Sequence, residues 1–387
     1  MILIILFWIS IFLLFHSYVL YPLILKVLAR NKKENSLIFK TDDDLPFISI
    51  IIAAHNEEKV IVEKIQSIYF TLYPLCKFEV LVGSDASTDG TNRICKVYTQ
   101  NYEGFSFFPF ERRQGKPSIV NQLVKQAKGE ILILTDAKVF FNRNTLFELV
   151  KHFKNKEIHI VGGSIHNKKQ KKDGISIQEK AFMSREIKMK DLEGKIWGKT
   201  MGIYGAVYGI RKSSYHPVPQ NFSVDDFFIT MKVLEKGKKV IMNTSAISNE
   251  DVPNLIKTEF KRKIRISAGN FQNSFYFSRL VIKPWTSLSF VFFSHKIIRW
   301  IGPFLLLFSI TSVTILSNKS DFYFYLFVLQ NILLIIPLLD IILRKFNMHI
   351  VLLRFITHFT AMNIALLFGF FKYIFGVKTN IWQPTKR

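Results

Sequence analysis

The sequence predicts an α/β domain with a mostly parallel sheet, joined to transmembrane α-helices. In the middle of the chain, short and almost continuous apolar runs alternate with amphipathic helical patterns, as strands buried on both faces require. Longer apolar runs stand near both ends, and they approach the ~20 residues that a bilayer-spanning helix needs. Of the 387 residues, 49% are hydrophobic and 38 are Phe, a composition typical of a membrane protein.

The net charge indicates which kinds of molecule the protein binds. The chain carries 53 Lys and Arg against 29 Asp and Glu, a formal charge of +24. In a soluble protein this balance would indicate nucleic acid. Here the basic residues concentrate beside apolar segments, so we expect an anionic membrane leaflet and no nucleic acid. Anionic substrates also fit this charge. The two cysteines, Cys76 and Cys95, are too few for a disulfide framework and fit a reducing cytoplasm.

The first apolar run, from Ile2 to Leu25, predicts an N-terminal transmembrane helix within residues 1–30. Basic residues from Lys26 to Lys33 follow it directly, and the positive-inside rule then places the N-terminus outside. The chain from residue 30 onward is predicted to be cytoplasmic. We therefore expect a multi-pass protein of the cell (plasma) membrane whose central domain, residues 42–273, faces the cytoplasm.

The C-terminal region, residues 283–387, is predicted to hold an interfacial helix and about three transmembrane helices. The segment SFVFFSHKIIRW, which mixes aromatic and basic residues, is typical of a helix at the membrane surface. Arg354 and His358 in the last run either line a passage or snorkel to the surface. The basic tail KTNIWQPTKR would lie outside, against the preference of its cations, so its side stays open. The apolar runs are Trp300 to Leu316, Phe322 to Leu343 and Ile350 to Phe375.

Three apolar runs in the central region predict strands of the sheet. They are FISIIIAA at 47–54, FEVLVGS at 78–84 and EILILTD at 130–136. Between them, EEKVIVEKIQSIYF and KPSIVNQLVKQA have the apolar spacing of amphipathic helices. This succession of strand, helix and strand predicts a mostly parallel sheet covered by helices.

Acidic side chains follow these strands at their carboxyl ends, where parallel sheets bind ligands. Glu57 comes after the first run, Asp85 and Asp89 after the second, and Asp136 ends the third. Taken singly, each is better explained by a turn or a helix cap. Their return at successive strand ends predicts one shared cleft.

Seven motifs of the central region occur in the order and spacing of processive-type family 2 glycosyltransferases: SIIIAAHNEE, SDASTDGT, GKPSIVNQ, TDAK, GAVYGIRK, VDD and RKIRI. From Phe47 to Asn270 the chain resembles this membrane-bound family, which includes cellulose, hyaluronan and poly-N-acetylglucosamine synthases. The resemblance implies a Rossmann-like GT-A nucleotide-sugar domain. It also implies transfer of a sugar from a nucleotide-diphosphate donor, first of all a UDP-sugar, to a polysaccharide or lipid acceptor. The reaction would be inverting, and an export partner stays open.

The resemblance also implies roles for individual residues. The general base would be Asp226, the last residue of VDD, and one base suffices because the nucleotide diphosphate leaves as a stable anion. Asp225 and Gly205 would lie on the acceptor side. Asp225 would also raise the proton affinity of the Asp225–Asp226 pair if the two carboxyl groups faced each other. From the residues alone, the two acids are equally well a helix cap. The donor would be bound by Glu57, Asp85, Lys116, Asp136, Arg262 and Arg265.

The sequence departs from the family pattern at two positions. The family's acidic triplet usually ends in an Asp that binds a divalent cation (Mg²⁺ or Mn²⁺), whereas TDAK places Lys138 there. Either Lys138 points into solvent and another acid holds the ion, or the charge of Lys138 replaces part of the metal's work on the diphosphate. Ile266 stands where polymer synthases carry a Trp that stacks on the acceptor sugar, which weakens the case for a polymer channel. The basic residues beside Ile266 equally form a membrane-surface face.

One alternative from another class stands beside the enzyme. The chain could be a catalytically impaired, membrane-anchored protein that binds a nucleotide sugar without turnover. Release of free nucleotide diphosphate from a sugar donor separates the two functions.

Overall fold

The structure is a computed structural model that describes residues 1–41, 43–167, 175–250, 255–283 and 285–376. The predicted basic tail, residues 378–387, lies outside the described residues. The chain divides into two compact units. The helical unit comprises Met1–Val27, Gln170–Ser184 and Val252–Gly376, and the sheet unit comprises Leu28–Lys169, Arg185–Asp251 and Val377–Arg387.

The strands of the described residues form one sheet, which belongs to the sheet unit. They are β1 (Ile48–Ala54), β2 (Phe78–Asp85), β3 (Phe105–Phe110), β4 (Ile131–Asp136), β5 (Phe140–Phe141), β6 (Ile158–Asn167), β7 (Val207–Arg211) and β8 (Lys239–Glu250). Their spatial order is β3-β2-β1-β4-β7-β6-β8-β5. The first four strands of this order run parallel to one another. β7 runs antiparallel to both β4 and β6, β8 parallel to β6, and β5 antiparallel to β8. The predicted α/β fold with a mostly parallel sheet is therefore confirmed.

The apolar runs of the sequence explain why the parallel half forms. Ile48, Ile50, Ile51 and Ile52 of β1 are all buried. β2 and β4 pair with both edges of this strand, and α5 packs against it, as a central strand of a helix-covered sheet requires. Burial of each such side chain stabilises the fold by roughly 1.5–3 kcal/mol. The strands that the sequence predicts at 47–54, 78–84 and 130–136 are β1, β2 and β4, within one residue at each end.

The helices lie between the strands and at both ends of the chain. They are α1 (Ile2–Phe15), α2 (Tyr21–Ala29), α3 (Glu58–Tyr69), α4 (Thr91–Asn101), α5 (Lys116–Gln126), α6 (Thr145–Val150), α7 (Ser176–Trp197), α8 (Asp225–Glu235), α9 (Ile256–Tyr276), α10 (Ser287–Val291), α11 (Ile298–Trp300), α12 (Gly302–Leu316), α13 (Asp321–Lys345) and α14 (Val351–Ile374). The two helices predicted between β1 and β4 are α3 and α5. α9, which the sequence places in the central domain, belongs to the helical unit, because it packs along α14.

The helical unit contains the apolar helices. Among the described residues, Ile2–Ala29, Asp321–Lys345 and Val351–Ile374 are long and apolar enough to cross a membrane. Ser287–Trp300 and Gly302–Leu316 meet at a bend of 60° and make a fourth candidate if they count as one span. Each apolar run of the sequence is thus helical, and the interfacial helix predicted from SFVFFSHKIIRW forms the first arm of the bent pair.

Two charged side chains of the last span are paired inside the helical unit. The Nε of Arg354 on α14 lies 3.0 Å from both carboxylate oxygens of Asp340 on α13, and both side chains are buried. The Nε2 of His358 lies 2.7 Å from the Oε1 of Glu179. These partners show that neither Arg354 nor His358 snorkels to a surface. Both side chains instead join helices of this unit to one another.

The buried pair between α13 and α14 can be tested by removing one partner. Arg354→Leu leaves the carboxylate of Asp340 buried with only Arg344, whose Nε is 3.6 Å away. We expect the free energy of unfolding to fall by about 3 kcal/mol, which is the lower end of the range for breaking a buried ion pair. The double variant Asp340→Leu/Arg354→Leu should recover most of this loss. Unfolding of the full chain in lipid measures both, with Lys345→Leu at the exposed end of α13 as control. Equal stability of Arg354→Leu and the parent would contradict the prediction.

Candidate active site

Three strands end at one edge of the sheet. Ala53 of β1 is level with Gly83 of β2 and with Asp136 of β4. Because these strands are parallel, Asp85 and Asp136, the last residues of β2 and β4, lie at the same edge. Glu57, just after β1, precedes the first residue of α3. The structure thus brings together the acids that the sequence places after successive strands.

The buried carboxylate of Asp85 holds the start of α5. Its Oδ1 accepts a hydrogen bond from the backbone N–H of Gln114 at 2.7 Å, and its Oδ2 accepts one from Gly115 at 3.0 Å. Gly115 has φ +84°, a left-handed conformation that glycine adopts without steric cost. The Nε of Arg113 lies 3.5 Å from Asp85 Oδ2. Asp85 therefore fixes the turn that delivers Lys116, and the donor contact predicted for it stays a prediction.

Asp89 joins two loops at this edge. Its Oδ1 accepts hydrogen bonds from the backbone N–H of Thr91 at 3.0 Å and from the Thr91 hydroxyl at 2.6 Å. Its Oδ2 accepts one from the backbone N–H of Glu58 at 3.1 Å. These bonds are those of a turn and helix-cap residue. They tie the loop after β2 to the first turn of α3.

The Lys116 ammonium group lies between two carboxylates. Its Nζ donates to Asp136 Oδ1 at 2.6 Å and lies 3.7 Å from Asp225 Oδ2. Burial alone would lower the pKa of Lys116, but the charges of Asp136 and Asp225 outweigh it and raise the pKa above its ordinary value. Lys116 is therefore a permanent cation that joins the end of β4 to the start of α8.

Asp226 is held by backbone donors at the first turn of α8. Its Oδ2 accepts a hydrogen bond from the N–H of Gly205 at 2.7 Å, and its Oδ1 accepts one from the N–H of Phe227 at 2.8 Å. A Cβ at position 205 would lie 2.9 Å from Asp226 Oδ2, so only glycine permits this approach. Burial, and then the charge of Asp225, raises the pKa of Asp226 to about 6. Asp226 is a carboxylate near neutral pH with enhanced proton affinity, as a general base requires.

Glu57 and Lys138 face each other across the same edge. Lys138 Nζ lies 3.5 Å from Glu57 Oε1, and the Glu57 side chain is buried. Burial raises the pKa of Glu57 to about 7, although the charge of Lys138 opposes this shift. The ammonium of Lys138 therefore turns toward the site, and the alternative that it points away into solvent does not hold.

The side chains at this edge do not form a metal site. Within the described ranges, no group of three or more His, Cys, Asp and Glu is placed to hold a metal ion. Asp136 already accepts the Lys116 ammonium at 2.6 Å, and the third position of its triplet carries a second ammonium. Divalent cations of the Mg²⁺ type take hard oxygen ligands. The divalent cation implied by the resemblance therefore does not fit these side chains.

Arg262 and Arg265, the remaining predicted donor contacts, lie on α9 in the helical unit. The guanidinium of Arg262 donates from Nε and Nη2 to the two carboxylate oxygens of buried Glu259, each at 2.7 Å. The Lys263 ammonium lies 3.4 Å from Glu259 Oε1. The roles predicted for Arg262 and Arg265 at a diphosphate remain predictions.

One polar residue beneath the site is not evident from the sequence. Lys64 of α3 is fully buried, and its Nζ donates to Thr135 Oγ1 at 2.9 Å and to the Val139 carbonyl at 2.5 Å. The same ammonium lies 3.7 Å from the ring centre of Phe141. Thr135 Oγ1 in turn donates to the Ala206 carbonyl at 2.8 Å. Lys64 thus anchors the segment that carries Asp136 and Lys138, and links it to the residue after Gly205.

Comparison with known proteins identifies the domain. The family model for glycosyl transferase family 2 matches residues 49–217, which include the strand-end acids and Gly205. A solved structure, the mannosyltransferase PcManGT from Pyrobaculum calidifontis in complex with GDP-Man and Mn²⁺, superposes with a TM-score of 0.72 at 20% identity. The superposed region covers 95% of this chain and 99% of the mannosyltransferase chain. Residues 49–217 thus match the glycosyl transferase family 2 model, in agreement with the motif order, and the chain has the GT-A fold of that solved structure.

Two curated relatives show how far the similarity extends. The probable glycosyltransferase YdaM of Bacillus subtilis (strain 168) is 24% identical over 241 residues, 59% of this chain and 56% of that protein. The second relative, from Methanococcus voltae, is 25% identical over 307 residues, 75% of this chain and 88% of that protein. It is named dolichyl N-acetyl-alpha-D-glucosaminyl phosphate 3-beta-D-2,3-diacetamido-2,3-dideoxy-beta-D-glucuronosyltransferase. The chain thus spans just over half of the first relative and most of the second.

The anchoring role of Lys64 predicts a specific defect. Lys64→Met fills a similar volume but leaves the Val139 carbonyl without its side-chain donor, so the segment with Asp136 and Lys138 loosens. We expect the affinity for UDP or GDP to fall about tenfold, since a lost buried hydrogen bond costs roughly 1–3 kcal/mol. Calorimetric titration of the full chain in lipid measures this affinity. Lys59→Met, on the exposed side of the same helix, should bind like the parent. An unchanged affinity in Lys64→Met would exclude the role.

Proposed function

We propose that the protein is a membrane glycosyltransferase that moves a sugar from a nucleotide-diphosphate donor to the hydroxyl of a lipid-linked acceptor, with inversion at the anomeric carbon. The observation that carries this proposal is the partly buried Asp226 carboxylate, fixed by two backbone donors at 2.7 and 2.8 Å. A permanent ammonium, that of Lys116, lies beside it between Asp136 and Asp225. A general base and a cation for an anionic leaving group are what a sugar transfer needs.

The proposed reaction is a single displacement. The acceptor hydroxyl gives its proton to Asp226, and its oxygen forms a bond to the anomeric carbon of the donor sugar. The bond between that carbon and the phosphate oxygen breaks, and its electron pair leaves with the nucleotide diphosphate. Attack opposite the leaving group inverts the anomeric centre. Asp226 later returns the proton to water, so one glycosidic bond replaces one phosphate ester and no oxidant or reductant is needed.

The remaining site residues take proposed roles on either side of the reacting carbon. Lys116 stabilises the charge that develops on the leaving diphosphate, because a fixed ammonium in a partly buried site needs no reorganisation. Glu57, Asp85 and Asp136 border the strand ends where the base and ribose of the donor would bind. Gly205 and Asp225 lie on the acceptor side. The hydrogen bond from the Gly205 N–H orients the base.

A lipid-linked acceptor is favoured over a growing polymer for two reasons. The Methanococcus voltae relative, which the chain matches over 88% of its length, has dolichyl N-acetyl-alpha-D-glucosaminyl phosphate as the acceptor in its name. Ile266 gives this chain no aromatic platform at the position where polymer synthases stack a sugar. The helices of the helical unit that are long and apolar enough to cross a membrane support a membrane location, where such an acceptor resides.

A donor screen tests the proposal. Purified full-length protein in lipid is incubated with a panel of UDP- and GDP-sugars and a polyprenyl-phosphate-linked sugar, and products are analysed by mass. We expect release of nucleotide diphosphate and one added sugar mass per acceptor. Asp226→Asn should reduce turnover by about 10²–10⁴-fold, the usual worth of a general base. A ladder of masses would instead favour polymer synthesis, and donor binding without released nucleotide would contradict an enzyme.

The pKa of Asp226 predicts the pH dependence of turnover. A general base acts only when it is deprotonated, so kcat/KM should be level above pH 7 and fall about tenfold per pH unit well below pH 6. The pKa is about 6 partly because of the charge of Asp225. Asp225→Asn should therefore move the acidic limb to lower pH. Asp44→Asn, at an exposed ion pair with Lys77, serves as control. An acidic limb at the same pH in Asp225→Asn would contradict the coupling.

A further inference from the structure

The carboxyl edge of the parallel strands carries two ammonium groups where the family pattern places one divalent cation. Lys116 Nζ lies 2.6 Å from Asp136 Oδ1, and Lys138 Nζ lies 3.5 Å from Glu57 Oε1. Their side chains are 30% and 21% exposed, so both remain accessible to a ligand. Each ammonium neutralises one carboxylate of the cleft in this state.

A divalent ion would compete with these ammonium groups for the same oxygens. At Asp136 it would share the carboxylate with the Lys116 ammonium, and it would lie beside the positive charge of Lys138, two positions further along the chain. Each of these carboxylates already has an ammonium beside it, so a divalent ion gains less net attraction there than beside an unpaired carboxylate. The described residues also provide no cluster of three ligating side chains elsewhere in the cleft.

The two ammonium groups can supply what the departing diphosphate requires. Its leaving oxygen and phosphate oxygens gain negative charge as the sugar–oxygen bond breaks, and a positive group fixed nearby stabilises that charge. An ammonium offers one positive charge and three donors, and binds phosphate as a point charge. Lys138 stands on the turn that Lys64 anchors from below. Its backbone is therefore held in place before any donor binds.

We propose that Lys138, acting with Lys116, takes the place of a divalent cation at the donor diphosphate, so that the enzyme binds and uses its donor without a metal. This inference rests on the proposed function. On donor binding, the Lys138 ammonium moves from Glu57 to a phosphate oxygen. The bond from the anomeric carbon to the phosphate oxygen breaks toward these two cations.

Nucleotide binding without turnover provides the test. UDP and GDP are titrated calorimetrically into the full chain in lipid, once with EDTA and once with Mn²⁺. We expect the parent to bind one of them with the same affinity under both conditions. Lys138→Gln should bind about tenfold more weakly under both, because a charge-assisted contact to phosphate is lost. Lys138→Asp should bind weakly in EDTA and regain about tenfold in Mn²⁺, because the variant creates the missing metal ligand.

The control is the same change of charge at an exposed position, and three outcomes would contradict the inference. Lys96→Asp makes the same change of charge on the exposed face of α4 and should bind like the parent under both conditions. Loss of nucleotide binding by the parent in EDTA, with recovery in Mn²⁺, would overturn the inference and leave the proposed function standing. Unchanged binding by Lys138→Gln would overturn it equally. No binding of either nucleotide under any condition would contradict the proposed function itself, and the role of Lys138 with it.

Discussion

The arrangement of the site depends on one ammonium group set between carboxylates. Acids that collect at the edge of a parallel sheet repel one another, and unpaired they would stay protonated or move apart. The Lys116 Nζ, 2.6 Å from Asp136 and 3.7 Å from Asp225, removes this conflict. It allows the last residue of a central strand and the first residue of α8 to remain close to each other. Asp226, the next residue on α8, owes its position to that closeness.

The acids of this edge fall into two groups: those that hold the neighbouring loops in place, and the proposed general base. Asp85 and Asp89 spend their oxygens on backbone N–H groups of neighbouring loops, and so shape the cleft. Asp226 also accepts two backbone donors, yet each carboxylate oxygen keeps a second lone pair for a proton. The same type of hydrogen bond thus holds a loop in one place and orients the proposed general base in another. Chain position and burial separate the two cases.

Local sequence signals were sufficient for the parallel half of the sheet and for the acids at its edge. Near-continuous apolar runs identified β1, β2 and β4, and Asp85 and Asp136 followed from where those runs stop. The antiparallel insertion of β7 between β4 and β6 was not predictable in this way, since it depends on contacts distant in sequence. Lys64 escaped notice because a lysine in an amphipathic helix ordinarily faces water. Only its hydrogen bonds to Thr135 and Val139 reveal that its amino group is buried.

The ion pair between α13 and α14 has a consequence for how the chain reaches its membrane. Asp340 lies five residues before the end of α13, and Arg354 is the fourth residue of α14. A lone carboxylate in such an apolar helix is costly within hydrocarbon. During synthesis, Asp340 has only Arg344 of the same helix nearby, 3.6 Å away, and it gains the buried Arg354 once the short connection and the first turn of α14 have emerged. The two helices are expected to partition from the insertion machinery as one hairpin, with the charges neutralised before either meets lipid.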